Sequence, residues 1–357
     1  MAKKVRLGIM GCGWPGGMHA EAIQEIPGAE VAAVSDPDAD RRRAFVDKFG
    51  DVAEFTDARR MVEGAELDAV VNALPTGMHY RTSRAALEAG LHVMCEKPPT
   101  TKAAEMMELA RLAKRKGLVY SFCRQPRYSP LSLEARRLVE NGTIGDVYLA
   151  ESNYIRCRGI PFGAGGWFVN RKKGGGVLLD LGIHAIDDAW FIMGCPRPVE
   201  VMAGLYCAFS DLAPEGVEYT AEDAAVGQIR FADGATLRFM TTFALNDGGP
   251  NVGDAKGVVN EGRGETRLYG PKGGIDVGAG KLLLGRAKGV MVKDLKPKSK
   301  LGTFTAQDKT FIQAIRTGGE PGNTAEQAVM LMQMLEALRK SGDSGKAVRI
   351  ARGRVSR

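Results

Sequence analysis

The first third of the chain alternates short apolar runs with segments of helical periodicity. The apolar runs occupy residues 5–10, 30–35, 67–74, 92–95 and 119–123. Amphipathic patterns lie between them, as over residues 78–89 and 102–116. Strands that alternate with helices predict βαβ units around a parallel sheet. Because these runs lack polar alternation, we expect strands that are covered on both faces.

The pattern changes in the remainder of the chain. A helix is predicted over residues 129–141, ended by Gly142, and a long strand over residues 146–156. Residues 159–176 contain seven glycines, and we expect them to form a mobile loop over a site. A further helix is predicted over residues 177–193.

Strand-like runs without intervening helices follow this helix. They occupy residues 199–209, 224–231, 235–243, 266–269 and 281–285. Asp233-Gly234 between two of these runs is a hairpin signal, so the strands are expected to form a largely antiparallel sheet. Two helices close the pattern at residues 305–316 and 324–341, and the Gly-rich residues 246–265 are interpreted as a long loop.

These patterns predict two domains, which suits a length of 357 residues. We expect residues 1–122 to form an α/β domain with a parallel sheet. Residues 123–357 are expected to form a second α/β domain with a large, mainly antiparallel open sheet. The second domain includes helices within residues 305–341 and a basic tail at residues 342–357.

Composition and charge narrow the class of protein. The chain has 44% hydrophobic and 25% charged residues, which are ordinary globular values. Its net charge is +7, but +6 of this comes from residues 339–357. A basic end is more often a solvated tail than a binding surface. Because no basic patch is interleaved with aromatic residues, we expect no nucleic-acid partner.

The lengths of the apolar runs, the first residues of the chain and the spacing of the cysteines together predict a cytoplasmic protein. No apolar run approaches the roughly 20 residues of a membrane helix, and the start of the chain lacks the pattern of a secretory signal. The six cysteines form no C-x-x-C pair and match no zinc spacing. We therefore expect free thiols in a reducing compartment, no metal site and no membrane association.

The strongest chemical signal is a glycine cluster directly after the first apolar run. Gly11, Gly13 and Gly16 fit G-x-G-x-x-G between a strand and a helix. The first glycine allows a tight turn, the second a close approach to a pyrophosphate, and the third close helix–strand packing. The helix N-terminus then favours an anion. This predicts a Rossmann domain that binds a dinucleotide.

Asp36 supplies the second element of that fingerprint, because it ends the second apolar run twenty residues beyond Gly16. A carboxylate there accepts hydrogen bonds from the ribose hydroxyls and repels a 2′-phosphate, so NAD is favoured over NADP. The neighbouring residues Arg41, Arg42 and Arg43 are able to soften this preference.

Two further motifs carry proton-transfer chemistry. Glu96-Lys97-Pro98 follows an apolar run, and ligands of open α/β sheets bind outside the carboxyl ends of strands. Lys97 can donate to a substrate oxygen or exchange a proton, or it is an ordinary surface lysine. Asp180 and His184 are four residues apart and share a helix face, which suits proton transfer and hydroxyl recognition. A local contact between the two side chains is the alternative, and a metal pair lacks a third ligand nearby.

The ordered set of motifs resembles the Gfo/Idh/MocA oxidoreductase family, which includes glucose–fructose oxidoreductase and inositol dehydrogenase. The resemblance spans nearly the whole chain. Besides the glycine loop with Asp36, it rests on Leu74-Pro75-Thr76 with His79, on Glu96-Lys97-Pro98, and on residues 142–147 and 174–187.

The resemblance implies catalytic roles for Lys97, Asp180 and His184. It also implies a dinucleotide site and a homodimer or homotetramer formed through the open face of the C-terminal sheet. We expect the following residues to contact the cofactor: Gly11, Cys12, Gly13, Trp14, Pro15, Gly16, Asp36, Arg41, Leu74, Pro75, Thr76, His79, Glu96, Lys97 and Gln125. Candidate substrate contacts are Lys97, Arg127, Tyr154, Trp167, Arg171, Asp180 and His184.

Three positions depart from the family pattern. Thr76 stands where the family often has Asn, and residues 125–128 read Gln-Pro-Arg-Tyr where it often has Asn-Arg-Arg-Phe. Trp14-Pro15 makes the glycine loop bulky and stiff. The first two changes affect the expected contacts with cofactor and substrate and leave the expected fold unchanged.

The resulting hypothesis is hydride transfer between NAD and a secondary hydroxyl of a sugar, a sugar derivative or a cyclitol. His184 takes the hydroxyl proton, Lys97 holds the same oxygen, and Asp180 orients a neighbouring hydroxyl. Two alternatives remain. One is a redox-neutral glycosidase that oxidises, eliminates and reduces with tightly bound NAD, with Tyr154 or an acid of the Gly-rich loop as an extra base. The other is a cofactor-binding regulator without catalysis.

Overall fold

The structure is a computed structural model that describes residues 4–50, 52–247, 262–298 and 300–351. Most of the predicted loop at residues 246–265 and the end of the predicted basic tail lie outside these ranges. The described chain divides into two compact units. The first contains the residues up to Tyr128 together with Leu301–Met332. The second contains Ser129–Lys300 and the residues that follow Met332.

The elements up to Tyr128 alternate between strands and helices. They are β1 (Val5–Met10), α1 (Trp14–Gln24), β2 (Ala29–Ser35), α2 (Ala39–Phe49), β3 (Ala53–Phe55), α3 (Ala58–Gly64), β4 (Ala69–Asn72), α4 (Thr76–Glu88), β5 (His92–Cys95), α5 (Ala103–Lys116) and β6 (Tyr120–Phe122), followed by a 3-10 turn over Gln125–Tyr128.

The later elements begin with α6 (Pro130–Glu140), β7 (Leu149–Ile155) and the short α7 (Gly163–Gly166). A 3-10 turn over Trp167–Val169 and a π-helix over Leu178–Gly182 precede α8 (Ile183–Ile192). The others are β8 (Pro198–Tyr206), β9 (Ala224–Phe231), β10 (Thr236–Thr242), β11 (Arg263–Gly270), β12 (Gly273–Asp276), β13 (Lys281–Arg286), β14 (Gly289–Asp294), α9 (Thr303–Thr317), α10 (Ala325–Ser344) and β15 (Val348–Arg349), with a 3-10 turn over Ser210–Leu212.

The first unit contains a six-stranded sheet in the order β3-β2-β1-β4-β5-β6 within the described residues, and every neighbouring pair is parallel. The strands β1 and β4 are almost wholly buried, as expected for apolar runs between two helical layers. The predicted parallel Rossmann sheet is therefore confirmed. The prediction had missed β3 and α3, because β3 has only three residues and none of its side chains is fully buried.

Helix α9 packs in the core of the first unit. Its residues Phe311 and Ile312 join one hydrophobic cluster with Ile9 of β1 and Ile23 of α1. We had expected this helix in the second domain, and the end of the first domain at residue 122 rather than at Tyr128. The grouping follows from the apolar face of α9, which is buried by residues far away in the sequence. Helix α10 begins in the first unit and continues in the second.

The second unit contains a nine-stranded sheet in its described part, in the order β14-β13-β12-β11-β7-β10-β9-β8-β15. Strands β7 and β10 pair in parallel, and the other neighbours are antiparallel. This confirms the predicted large, mainly antiparallel sheet. The Asp233-Gly234 hairpin joins β9 to β10, with Gly234 at a φ of +93°. Strands β12, β14 and β15 had not been predicted.

One face of this sheet carries the core of the second unit. Side chains alternate along β9 and β10, so that Ile229, Leu237 and Phe239 are buried while Val226 and Arg238 are exposed. Helix α8 contributes the fully buried Trp190, which donates its indole N–H to the carbonyl of Pro196 at 2.8 Å. Among the helices that the structure describes, none has both the length and the apolar character needed to cross a bilayer.

We predict that Gly16→Ala lowers the free energy of unfolding by about 1–3 kcal/mol, as overpacking does. A Cβ atom on Gly16 would lie 2.0 Å from the carbonyl oxygen of Gly11, so the turn and α1 would have to separate. Gly17→Ala is the control, because a Cβ atom there meets no atom within 4 Å. That change is expected to be neutral or to stabilise by up to about 1 kcal/mol, through helix propensity. Urea denaturation measures both, and equal stability of the two variants would contradict the packing argument.

Candidate active site

The turn after β1 has the geometry of a phosphate-binding loop. Gly11 has a φ of +100°, and its N–H donates to the carbonyl of Ser35 at 2.7 Å. Gly13 is the N-cap of α1, and no side chain caps this helix end. A Cβ atom on Gly13 would meet only the Cδ of Pro15, at 3.8 Å. The backbone amides of the first turn can therefore be approached closely by an anion.

Trp14 and Pro15 form the first turn of α1 rather than obstructing it. Pro15 lies at a position where its missing N–H costs no helical hydrogen bond. The Trp14 side chain is 72% exposed and packs edge-on against Phe304 at 6.0 Å between ring centroids. Cys12 lies between the glycines, and burial together with nearby Asp36 raises the pKa of its thiol to about 12. This thiol is therefore neutral beside the anion site.

Asp36 lies directly after β2 and is only 6% exposed. Its Oδ2 accepts from the N–H of Cys12 and its Oδ1 from the N–H of Asp38, each at 2.9 Å. A carboxylate has about four acceptor sites, so these two bonds leave capacity for ribose hydroxyls. The carboxylate is thus fixed beside the glycine loop by backbone amides.

Arg41 and Arg42 near Asp36 contact groups other than the Asp36 carboxylate. Arg42 donates to the backbone carbonyl of Asp36 at 2.6 Å and lies near Glu54. The mostly exposed Arg41 lies 3.5 Å from the Oδ2 of Asp38. The contact of Arg41 with the cofactor remains a prediction, since the side chain lies at the surface in the first turn of α2.

His79 holds two loops of the first unit together. It lies on α4, and Pro75 is the N-cap of that helix. Its Nε2 lies 2.6 Å from the carbonyl oxygen of Leu74, and its Nδ1 lies 2.8 Å from that of Pro98. The ring is 1% exposed, so it does not offer a nitrogen to a ligand directly. Leu74, Pro75 and Thr76 remain partly or fully exposed around it.

Glu96 lies in a buried polar network at the end of β5. Its Oε1 lies 3.3 Å from the Nε2 of His19 and accepts from the Nε2 of Gln125 at 2.8 Å. Its Oε2 accepts from the N–H of Lys97. Burial raises the pKa of Glu96, but the hydrogen bond and charge of His19 outweigh it and lower the pKa to about 2. Glu96 is therefore ionised at neutral pH.

His19 completes this network from α1. Its Nδ1 lies 2.8 Å from the Oδ2 of Asp308 on α9. Burial lowers the pKa of His19, but the negative charge of Asp308 and its hydrogen bond raise the pKa well above the ordinary value. The Nε2 of His19, Oε1 of Glu96 and Sγ of Cys123 lie within 4.8 Å of one another, a spacing that a metal ion could also occupy. The hydrogen bonds among these side chains account for their proximity without one.

Lys97 is the partly exposed residue in a buried segment. Cys95, Glu96, Pro98, Pro99 and Thr100 around it are all buried. The peptide bond between Lys97 and Pro98 is cis. The burial of its neighbours holds the backbone of Lys97 in place, and its side chain is partly accessible at the carboxyl end of the sheet.

A groove of about 480 Å³ runs between α3 and α4 in the first unit. Its lining includes Met10 at the end of β1, Val62 on α3, and Met78 and Thr82 on α4. Apolar clefts with a few polar groups are typical of small-molecule sites. This groove begins at the strand that leads into the glycine loop.

Arg127 does not lie where we predicted. It is fully buried in the first unit, where it donates to the side-chain oxygens of Asn323 and Gln327 and stacks on Phe122 at 5.0 Å. A guanidinium group without exposed surface is satisfied by these partners instead of by a substrate. We therefore assign Arg127 a structural role in place of the predicted contact with substrate.

In the second unit, Asp180 and His184 lie on a helical segment that is otherwise buried. The structure describes all of residues 175–192, and only Asp180, His184 and Asp188 among them are partly exposed. Asp188 accepts from the hydroxyls of Ser132 and Thr266 at 3.0 and 3.1 Å. Asp180, His184 and Asp188 therefore form a narrow polar stripe on a segment that is otherwise buried.

The predicted helix over residues 177–193 is not uniform. Leu178–Gly182 is a π-helix, and α8 follows directly after it. Single π turns inside helices are frequent at functional sites. Asp180 lies in the π turn and His184 at the start of α8.

The other predicted substrate contacts of the second unit differ in their surroundings. Tyr154 on β7 packs edge-on against His184, with 6.1 Å between the ring centroids. Trp167 packs against Phe168 in the Gly-rich segment. The guanidinium of Arg171 binds both carboxylate oxygens of Asp343 at 2.6 Å. The structure thus brings Tyr154 to the polar stripe, whereas Arg171 is held by an ion pair.

The roles of His19, Asp308 and Cys123 had been missed. These side chains come from α1, α9 and the end of β6, up to 289 positions apart. The only signal in the sequence was His19 three residues beyond the glycine motif, within an otherwise apolar helix face. A buried imidazole on such a face implies a polar partner, but the sequence does not name it.

These features define a dinucleotide-binding oxidoreductase of the Rossmann class. The residues present fit NAD. The uncapped N-terminus of α1 suits a diphosphate, Gly13 leaves room for it, and Asp36 is an ionisable acceptor at the end of β2. Comparison with known proteins specifies the family. The family model described as "Oxidoreductase family, NAD-binding Rossmann fold" matches residues 5–123, and the "GFO/IDH/MocA C-terminal domain" matches residues 132–276.

Known relatives agree with this assignment. D-glucoside 3-dehydrogenase of Escherichia coli (strain K12) is 32% identical over 255 residues, which cover 68% of this chain and 71% of that protein. D-xylose 1-dehydrogenase (NADP(+)) 2 of Haloferax volcanii is 27% identical and covers 90% of this chain and 92% of that protein. The crystal structure of an oxidoreductase domain protein from Kribbella flavida has a TM-score of 0.82, with 26% identity over 98% of this chain and 100% of that one. The chain belongs to the Gfo/Idh/MocA family of NAD-binding oxidoreductases.

We predict that Asp36→Asn weakens NAD binding by about 10- to 100-fold, because hydrogen bonds to a charged group contribute roughly 1.5–3 kcal/mol. NADP should lose less affinity, since the repulsion of its 2′-phosphate is removed. Asp38→Asn is the matched control, because Asn also caps a helix such as α2. Calorimetric titration with both dinucleotides gives the ratio of the two dissociation constants. An unchanged ratio in Asp36→Asn would refute the assignment of Asp36.

Proposed function

We propose that the protein oxidises or reduces a secondary hydroxyl carbon of a sugar, a sugar derivative or a cyclitol, with NAD as the redox partner. The observation that carries this proposal is the polar stripe of Asp180 and His184 on a segment that is otherwise buried. A carboxylate and an imidazole at one accessible place provide hydroxyl recognition and proton transfer. The names of the relatives, D-glucoside 3-dehydrogenase and D-xylose 1-dehydrogenase, support a carbohydrate substrate.

Each catalytic side chain has a distinct proposed task. NAD, when bound, supplies the hydride acceptor. His184 takes the proton of the reacting hydroxyl, and the ring of Tyr154 against it limits the orientations of its imidazole. Lys97 donates to the same oxygen and stabilises its developing negative charge. Asp180 accepts from a neighbouring hydroxyl and so orients the substrate.

The rigidity of the Lys97 backbone supports this assignment. The flanking Glu96 carboxylate is held by Gln125 and His19, and the carbonyl of Pro98 is held by His79. An ammonium group donates productively only when the oxygen and the donor keep their positions during the reaction. A lysine on a mobile surface turn would lack this support. The partly exposed Lys97 on a buried backbone therefore suits a catalytic donor.

We predict that Lys97→Met and His184→Asn each lower kcat by about 10²- to 10⁴-fold, the range of a general acid or base. Asp180→Asn should raise KM more than it lowers kcat, because it removes substrate orientation. Lys102→Ala is the control, since Lys102 is a largely exposed lysine at the N-terminus of α5. NADH absorbance with a panel of sugars and cyclitols measures these rates. Normal turnover in both Lys97→Met and His184→Asn would reject the assignment.

A redox-neutral glycosidase is the second candidate, and one observation favours it. Tyr154 lies against His184 and offers a phenol as an additional base for elimination of a glycosidic substituent. In that reaction the hydroxyl carbon is oxidised to a carbonyl, and loss of a neighbouring proton to a base expels the substituent. Water then adds to the resulting double bond, and return of the hydride restores the hydroxyl. Incubation with aryl glycosides separates the two functions. Release of the aglycone without accumulated NADH supports the glycosidase, whereas net NADH with an unsubstituted polyol supports the dehydrogenase.

The open face of the second sheet supports the proposed homo-oligomer. Met202, Tyr206 and Val226 are 47%, 55% and 43% exposed on β8 and β9. Large apolar side chains grouped on one sheet face are typical of protein interfaces. We predict a dimer or tetramer in light scattering, and a shift towards monomers in Met202→Glu/Val226→Glu, because two charges would be buried at the interface. Arg115→Glu at an exposed position of α5 in the first unit is the control for a change of surface charge, because α5 is not part of this sheet. A wild-type monomer would contradict the proposal.

A further inference from the structure

We propose that His79 is a positioning residue, a buried imidazolium that ties the carbonyl of Leu74 to the carbonyl of Pro98 and thereby fixes the backbone beside Lys97. The inference concerns a side chain that the proposed mechanism does not use. Its catalytic consequence rests on the proposed role of Lys97, whereas its protonation state does not.

The argument begins with the hydrogen-bond partners. Both ring nitrogens of His79 face backbone carbonyl oxygens, at 2.6 and 2.8 Å. A carbonyl oxygen accepts hydrogen bonds and cannot donate one. A neutral imidazole has one N–H donor. Its other nitrogen would therefore direct a lone pair at a lone pair of the carbonyl oxygen, which is unfavourable. Only the imidazolium, with two N–H donors, satisfies both contacts.

The surroundings of the ring agree with this charge state. Within the described residues, the titratable group that faces His79 from β5 is the thiol of Cys95, and the phenol of Tyr120 on β6 lies next to that thiol. Burial lowers the pKa of His79. Cys95 and the carbonyls of Pro98 and Leu74 raise it by more than burial lowers it, so that the pKa is about 9. The ring is therefore charged at neutral pH while it is 1% exposed.

The two carbonyl groups that His79 contacts belong to two different loops of the first unit. Leu74 follows β4, and Pro98 follows β5 and the adjacent Lys97. Strands β4 and β5 pair as far as Asn72 and Cys95, and one further backbone bond runs from the N–H of Glu96 to the carbonyl of Asn72 at 2.9 Å. The contacts of His79 lie beyond that bond. His79 supplies the connection between the two loops there. Without it, this loop would lose its link to Leu74 and keep the bonds of Glu96 and the contact of the Cys95 thiol with the carbonyl of Pro99 at 3.8 Å.

Four histidines make the protonation state directly measurable. In protein labelled with nitrogen-15 histidine, we expect two protonated ring nitrogens for His79 at neutral pH. His92 is the internal control, because its Nδ1 accepts from the N–H of Val119 and burial lowers its pKa. It should therefore show one protonated nitrogen. A single protonated nitrogen on His79 at pH 7 would overturn the proposal, whatever the activity of the enzyme.

Variants test the positioning role. His79→Gln keeps an amide donor without the charge, and His79→Phe removes both donors. We expect kcat to fall by about 10-fold in His79→Gln and 100-fold in His79→Phe, the scale of a small misplacement of a catalytic group, with NAD affinity changed much less. His92→Gln is the matched control on the opposite end of β5 and should keep its kcat. Wild-type kcat in His79→Gln and His79→Phe, with only a lower Tm, would overturn the positioning role.

The pH dependence of stability provides an independent readout. The pKa of His79 is raised in the folded state, so its contribution is complete below the unfolded pKa of about 6.5 and is lost as pH rises through about 9. The difference in Tm between the wild type and His79→Gln should therefore shrink between pH 7 and 10. A constant difference over this range would contradict a charged clamp. This measurement needs no substrate, so it is separate from a failure of the proposed function.

Discussion

The contact between His19, Glu96 and Asp308 is the interaction on which the rest of the first unit depends. It joins the helix of the glycine loop, the strand end that carries Lys97 and a helix from near the end of the chain. Burying three ionisable groups is costly, and a well-packed apolar cluster would often be equally stable. What the polar network adds is geometry, because each hydrogen bond fixes a direction as well as a distance. Losing one partner would leave the buried charge of the others only partly compensated, and breaking a buried ion pair costs about 3–5 kcal/mol.

The same physical constraint explains the arrangement of the parallel sheet. The loops after β1, β2, β4 and β5 emerge at one edge, where the backbone bonds between strands end with the first residue of each loop. Backbone amides hold Asp36, and side chains hold Glu96 and the carbonyls of Leu74 and Pro98. Ordered loops at this edge are a condition for a dinucleotide site, since a mobile loop would lose conformational entropy on binding. The buried polar groups thus convert a sheet edge into a preorganised surface.

Features of the fold and site that depend on residues close together in the sequence could be predicted, whereas those that depend on distant residues could not. Strands β1 and β5 were predicted with their observed bounds, because continuous apolar runs between glycines or prolines are local signals. The hairpin at Asp233-Gly234 was predicted because only a few residues determine it. The buried states of Arg127 and His19 were not predictable, since Asn323 and Asp308, their partners, are separated from them by 196 and 289 positions. Nor does any local pattern distinguish a π turn at Asp180 from a regular helix.

The meaning of the polar residues Asp180 and His184 depends on the burial of the residues around them. Polar residues four positions apart would be unremarkable on a surface helix, where every face reaches water. Here the neighbouring residues from Gly175 to Ile192 are buried, and the third member of the stripe, Asp188, is satisfied by Ser132 and Thr266. A buried helix tolerates polar side chains only where partners or water are provided. The partial exposure of Asp180 and His184 is therefore an opening in an otherwise closed surface, and such an opening is where a substrate hydroxyl can replace water.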